Sequence, residues 1–126
     1  MVQHNRKLQP KDIHLINIAR NTLIVRESEY SKTCCAIRTK SGKIFTSINI
    51  KIHDSAPCSI CAEQAAIAHI VTAGELPIDT IVTVCTWKEP DICIIPPCGM
   101  CAEFIKQFGN PHIIVSPTSK IKLLDL

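Results

Sequence analysis

Residues 61–74 read CAEQAAIAHIVTAG. Alanine and other good helix formers fill the run, no proline breaks it and Gly74 supplies a stop, so a helix is expected over 61–73. Downstream, TIVTVCT at 80–86 is rich in β-branched residues and reads as a buried strand. Pro96-Pro97 then precede CGMCAEFIKQF at 98–108, with Gly109 behind it. Proline before and glycine after is the punctuation of a second helix. HIIV at 112–115 reads as another buried strand, followed by at most a short turn in 119–126. Upstream, residues 51–60 carry Asp54, Ser55 and Pro57 and read as a loop, while 34–39 (CCAIRT) and 43–50 (KIFTSINI) flank Ser41-Gly42 as the two strands of a tight hairpin. Residues 11–26 place Ile13, Ile16, Ala19, Leu23 and Ile24 at helical spacing. The order α-β-β-α-β-α-β predicts a layered α/β domain with a mixed sheet. Its first two strands should be antiparallel and its later ones parallel, because helices connect them.

The 126 residues fit one domain spanning 1–126, large enough to bury a core without disulfide staples. A net charge of +3, with no run of like charges, argues against a nucleic-acid partner, which would select a clustered basic face. No apolar run approaches the roughly 18 residues of a membrane span, so no membrane is expected as a partner. Met1 to Pro10 is polar and lacks the apolar segment of a secretory signal, which makes the cytoplasm the expected compartment. Thiols stay reduced there.

Eight cysteines, at 34, 35, 58, 61, 85, 93, 98 and 101, therefore need a reading other than disulfides. Cys58/Cys61 and Cys98/Cys101 have C-x-x-C spacing, and the simplest reading is a closed structural zinc site with four cysteine ligands. A second arrangement has more chemistry in it. Cys61-Ala62-Glu63 opens one expected helix and Pro97-Cys98-Gly99-Met100-Cys101 opens the next. One helical turn puts Cys98 and Cys101 on one face. If the two helix starts converge, three thiolates meet where the partial positive charge of helix N-termini favours them. Three protein ligands around Zn²⁺ leave a position for water, the catalytic pattern. Glu63, two residues from a ligand, is placed to take that water's proton and return it to a leaving amine. Cys34, Cys35, Cys85 and Cys93 read as buried or loop thiols. His53 and His69 are weaker ligand candidates, His69 reading as a packed or surface residue. Trp87 reads equally as a stacking platform for a base or as a plug in the core or an interface.

The C-A-E…P-C-x-x-C arrangement resembles the zinc-dependent cytidine deaminases, in the three-cysteine form of those acting on free nucleosides. Tyr30-Ser31-Lys32, then Ser41-Gly42-Lys43-Ile44-Phe45 and Ile48-Asn49-Ile50, resemble further family segments, and Lys120–Leu126 resembles the start of its C-terminal element. Blasticidin S deaminases look about as similar as cytidine deaminases. The resemblance implies a three-layer fold with helices on both faces of the sheet. It implies zinc held by Cys61, Cys98 and Cys101, and Glu63 as the proton carrier. It sets Asn49, Lys51 and Ala62 against a small-molecule nucleoside. It further implies hydrolytic release of ammonia from an amino-pyrimidine, a role in pyrimidine salvage and a homotetramer with shared sites. Lys51 stands where the family's sugar-binding glutamate is expected, and Gln64 where an arginine often follows the catalytic glutamate.

Overall fold

The computed structural model describes residues 5–88 and 91–126. Among the described residues three helices, α1 (Pro10–Arg26), α2 (Ala62–Ala73) and α3 (Gly99–Lys106), surround seven strands. The strands are β1 (Arg6–Lys7), β2 (Thr33–Thr39), β3 (Ile44–Ile48), β4 (Ile78–Lys88), β5 (Asp91–Ile95), β6 (His112–Ile114) and β7 (Ser119–Lys122). Their order is β1-β7-β6-β4-β2-β3, with β5 also paired to β4.

Alternation along the central strands builds the layers. Cys34 and Ala36 on β2 and Val82 and Val84 on β4 pack with Leu15, Ile16, Ala19 and Leu23 of α1. Cys35, Ile37 and Ile81 point the other way, toward Ala66, Ile67 and Ile70 of α2 and Ile105 of α3. A strand repeats every two residues, so one β-branched run feeds both cores. The sheet is mixed and carries helices on both faces, as expected.

The four foreseen strands pair as expected, β2–β3 antiparallel and β4–β6 parallel, while the further pairs β4–β5 and β6–β7 are antiparallel. Helix α2 does connect strands of equal sense, β3 and β4, but β2 lies between them and is antiparallel to both. Strands β1, β5 and β7 were not foreseen. Two-residue and four-residue strands give little alternation to detect, and β5 lies among prolines that mark loops. Ile13 and Ile24 are 48% and 64% exposed, whereas Asp12, Leu15, Ile16, Ala19 and Leu23 form the buried stripe of α1.

Asp12 holds a core position because its charge is met there. Its carboxylate accepts from the Gln9 backbone N–H at 2.9 Å, from Arg38 Nη2 at 2.8 Å and from Lys120 Nζ at 2.9 Å. The network ties α1 to β2 and β7. Helix α2 stops at Gly74, whose φ of 70° lets Gly74 N–H reach Val71 and Glu75 N–H reach Ile70 (both 3.1 Å). That paired closure needs a left-handed residue, which glycine adopts without strain.

One edge of β4 is shared. Its first residues pair with β6 (Thr80↔His112, Ile81↔Ile113), and its later ones with β5 (Thr83↔Ile95, Cys85↔Cys93). The chain leaves β5 at this fork, passes Pro96-Pro97 and enters α3. Cys98 is thereby fixed beside the middle of β4.

Candidate metal and substrate site

Cys61 and Cys98 are the N-caps of α2 and α3, each extended (φ −73°, ψ 146° and φ −68°, ψ 167°) just before the first helical residue. The helices thus begin one residue later than the sequence pattern suggested, and α3 ends at Lys106 rather than 108. Cys98 Sγ accepts from the Cys101 backbone N–H at 3.5 Å, so the sulfur itself caps α3. The Cys98 and Cys61 side chains lie near enough to the Cys101 thiol to act on it. Among the described residues no three His, Cys, Asp or Glu side chains are drawn into a ready-made coordination shell. The three thiols are instead neighbours around Cys101, and closing on a metal needs the deprotonation that binding itself drives.

Burial, then the nearby Glu63 carboxylate, then the Cys98 and Cys61 side chains all push the Cys101 thiol up. The helix-start effect anticipated from sequence is outweighed there. A thiol so placed ionises only beside a strong positive charge, and a divalent metal supplies one. An all-sulfur donor set suits zinc.

Glu63 is 5% exposed, in the first turn of α2. Burial raises its pKa, while its own backbone N–H and the Thr83 hydroxyl hold it back. Thr83, on β4 and buried, also acts on the Cys35 thiol, lowering a pKa that burial pushes well up. Sequence reasoning missed Thr83. Its signal is a lone hydroxyl among the α2-facing residues of an apolar strand, where a polar group needs a partner.

Cys61, Cys98, Cys101 and Glu63 line one cavity of about 710 Å³, together with Asn49, Lys51, Ala62 and Ile95. Segment 30–33 cradles segment 49–51. Asn49 Oδ1 accepts from the backbone N–H of Lys32 (2.9 Å) and Thr33 (3.0 Å), Ser31 Oγ donates to Asn49 O (2.6 Å), and Lys51 N–H bonds Tyr30 O (2.8 Å). With its oxygen so engaged, the Asn49 amide presents its NH₂ group as the donor still available. The Lys51 side chain is exposed at the wall and has no ion-pair partner among the described residues.

The remaining candidates fall elsewhere. Cys58 is exposed in a 3₁₀ turn, where it accepts from Ser55 Oγ at 3.1 Å, and it does not line the cavity. Cys34 and Cys85 are buried in strands, and Cys93 is exposed on β5. His69 stands edge-on to Phe45 (centroids 4.8 Å apart), and His53 is exposed in the loop. The Trp87 side chain lies outside the described residues.

Residues 12–116 match the family described as the cytidine and deoxycytidylate deaminase zinc-binding region. The chain is 30% identical to blasticidin-S deaminase of Bacillus cereus over 110 residues, 81% of this chain and 76% of the relative. It is 32% identical to a probable cytidine deaminase of Dictyostelium discoideum over 101 residues, 79% of this chain and 66% of the relative. The crystal structure of cytidine deaminase from Mycobacterium leprae superposes with a TM-score of 0.75 at 17% identity, covering 94% of this chain and 97% of that one. That of Burkholderia pseudomallei gives 0.73 at 24% identity, covering 89% and 92%. The structural likeness shows the fold, and the sequence match shows more: the chain belongs to the zinc-dependent cytidine and deoxycytidylate deaminase family of hydrolases.

Proposed function

We propose that this protein hydrolyses the exocyclic amine of a cytidine-type nucleoside, giving the uracil form and ammonia. The observation that carries the reading is the meeting of a buried carboxylate, Glu63, with Cys61, Cys98 and Cys101 in one cavity. Those three cysteines are the proposed zinc ligands. Zinc held there would act as a Lewis acid and make water acidic near neutral pH.

The chain's own groups do the rest. Glu63 takes a proton from the attacking water as oxygen adds to the amine-bearing ring carbon. It passes that proton to the ring nitrogen, then takes the remaining proton of the added hydroxyl and gives it to the departing amine, so that water and N=C–NH₂ become HN–C=O and NH₃. A carboxylate whose pKa is raised by burial accepts and returns protons more evenly than an exposed one. The Thr83 hydroxyl beside it favours the charged form. Ala62 leaves space between ligand and base, and Asn49 donates its NH₂ to a sugar oxygen. Residues 1–126 act as one deaminase domain, and its reduced thiol ligands suit the cytoplasm and a place in pyrimidine salvage. The assembly is a homotetramer. No helix among the described residues is long and apolar enough to cross a membrane.

The direct test is a panel of amino-pyrimidine nucleosides followed by ammonia release and the ultraviolet change on loss of the amine. Turnover of cytidine or deoxycytidine is expected; no turnover of any member by zinc-loaded protein would overturn the reading.

A second reading rests on Lys51. An ammonium only donates hydrogen bonds, so it favours an acceptor such as a carboxylate over a sugar hydroxyl that needs an acceptor itself. A nucleoside antibiotic of the blasticidin S type is the candidate. On this reading Lys51→Glu raises kcat/KM for cytidine relative to blasticidin S; a fall in that ratio removes Lys51 as the selector.

A further inference from the structure

A second cavity, of about 570 Å³, shares no lining residue with the first. It opens where β1, β7, β6 and the start of β4 meet the first turn of α1. Arg6, Lys7, Lys11 and Lys120 line it, with His112 and one acid, Asp79. Nothing in deaminase chemistry uses these groups.

The charges around it are unevenly matched. Lys120 is paired with the buried Asp12. Asp79 is engaged by Arg38 Nη2 at 2.9 Å and by Lys40 at 3.3 Å. Arg6, Lys7 and Lys11 have no ion-pair partner among the described residues, and β1 is exposed throughout. Three uncompensated cations therefore border a concave wall whose one carboxylate is already neutralised. His112 adds an independent sign. It is half-buried, and its Nε2 is a buried atom with no hydrogen-bond partner among the described residues. Buried polar atoms are nearly always paired, and this one, closed off from solvent, gains a partner from the cavity only when the ring turns toward it.

We propose that this cavity is a binding site for a small phosphoryl anion, in which Arg6, Lys7 and Lys11 supply charge and His112, once its ring turns toward the cavity, donates a hydrogen bond from Nε2. Guanidinium and ammonium groups recognise phosphate oxygens by charge-assisted bonds. The volume admits a group larger than a single phosphate, and a di- or triphosphate uses the spacing of several cations better than one charge can. Burial, followed by the fields of Lys122 and Lys120, lowers the His112 pKa, with Asp79 opposing and Arg6 adding to the lowering. A bound anion would reverse the balance of those fields.

The test uses the full chain, with pyrophosphate and adenosine triphosphate as probes and sodium chloride at matched ionic strength as the control. Calorimetry should show saturable binding, and the His112 ring resonances should move with the same saturation. Arg6→Glu combined with Lys7→Glu, both exposed positions, should weaken binding at least about tenfold. Lys11→Glu, also exposed, should weaken it independently. Deamination should be unchanged in all of these variants. No saturable binding, or binding unaffected by these charge reversals, overturns the site. A phospholipid headgroup offers the same chemistry. Co-sedimentation with phosphatidylglycerol vesicles, without a response to pyrophosphate, would overturn the soluble ligand in favour of a surface.

Discussion

Glu63 is the residue on which the proposed chemistry turns, and its surroundings make a sharp test possible. Glutamine keeps the size and most hydrogen bonds but cannot carry a proton. General acid–base catalysis contributes roughly 10²–10⁴-fold, so Glu63→Gln should retain zinc and lose at least about a hundredfold in turnover. A loss under about tenfold in stopped assays would assign the proton transfer to another group. The ligand set is tested by two serines. Cys101→Ser should abolish zinc binding measured by atomic absorption, because a serine hydroxyl stays protonated where the thiol ionises. Cys58→Ser should leave zinc content unchanged, since Cys58 faces Ser55 outside the cavity. Zinc lost in Cys58→Ser would restore the closed four-cysteine site. At this scale the sequence was legible where spacing is local. Cys61, Glu63, Cys98 and Cys101 are bound to two helix starts, and a helix start is visible in a window of a few residues. Thr83 was not legible, because its role arises only when β4 lies under α2.

Between elements, the buried network of Asp12, Arg38 and Lys120 is the joint that sequence patterns hide. In the sequence Asp12 is one polar residue of a helix among others. Its partners come from 26 and 108 positions away. Replacing one partner strands the other charges in a dry site, at a cost of about 3–5 kcal/mol. Asp12→Asn should therefore lower unfolding free energy by that order in urea titration, and an unchanged midpoint would show that the network is solvated. The same joint sets an acid limit. Burial pushes the Asp79 carboxyl up, but bonds from Arg38, Thr80 and Lys40 outweigh it and bring it down to about 2. Asp12 is also lowered: burial raises it, and the Gln9 N–H, Lys120 and Arg38 prevail. Carboxyls with folded values below the unfolded one of about 3.9 stabilise the fold fully above that value. The contribution fades as pH falls toward 2. Stability measured by denaturant midpoint should be flat near neutrality and decline from about pH 5 downward, less steeply in Asp79→Asn. The fork on β4 was equally out of reach of the pattern. That one strand edge serves β6 and then β5 follows from where α3 packs, and no alternation within 91–95 announces it.

The molecule as a whole leaves its substrate cavity with an apolar rim. Ile50 and Ile60 line the cavity and are 43% and 45% exposed, Ile52 is 37% exposed beside them, and Met100, on the first turn of α3, is 71% exposed. Leu124 and Leu126 add exposed apolar area at the C-terminal turn. Single exposed apolar residues are ordinary, but several gathered at one mouth mark a surface that another surface covers. Two further considerations point to a second copy of the chain as the cover. Most soluble oligomers are closed and symmetric, so a self-complementary apolar face is used by every copy. A hydrolytic site that expels bulk water also strengthens the electrostatic work of Glu63. Sequence composition could not show this, because exposure depends on which face of the loop 51–60 turns outward. The expected outcome is a homotetramer, with a mass four times the 13.9 kDa chain by light scattering at micromolar concentration. Met100→Glu should reduce that mass by placing a charge in the covered face, and it should lower kcat/KM for the nucleoside while zinc content holds. A wild-type protein that is monomeric under those conditions and fully active would show that the rim is covered by nothing, and that the cavity is complete within one chain.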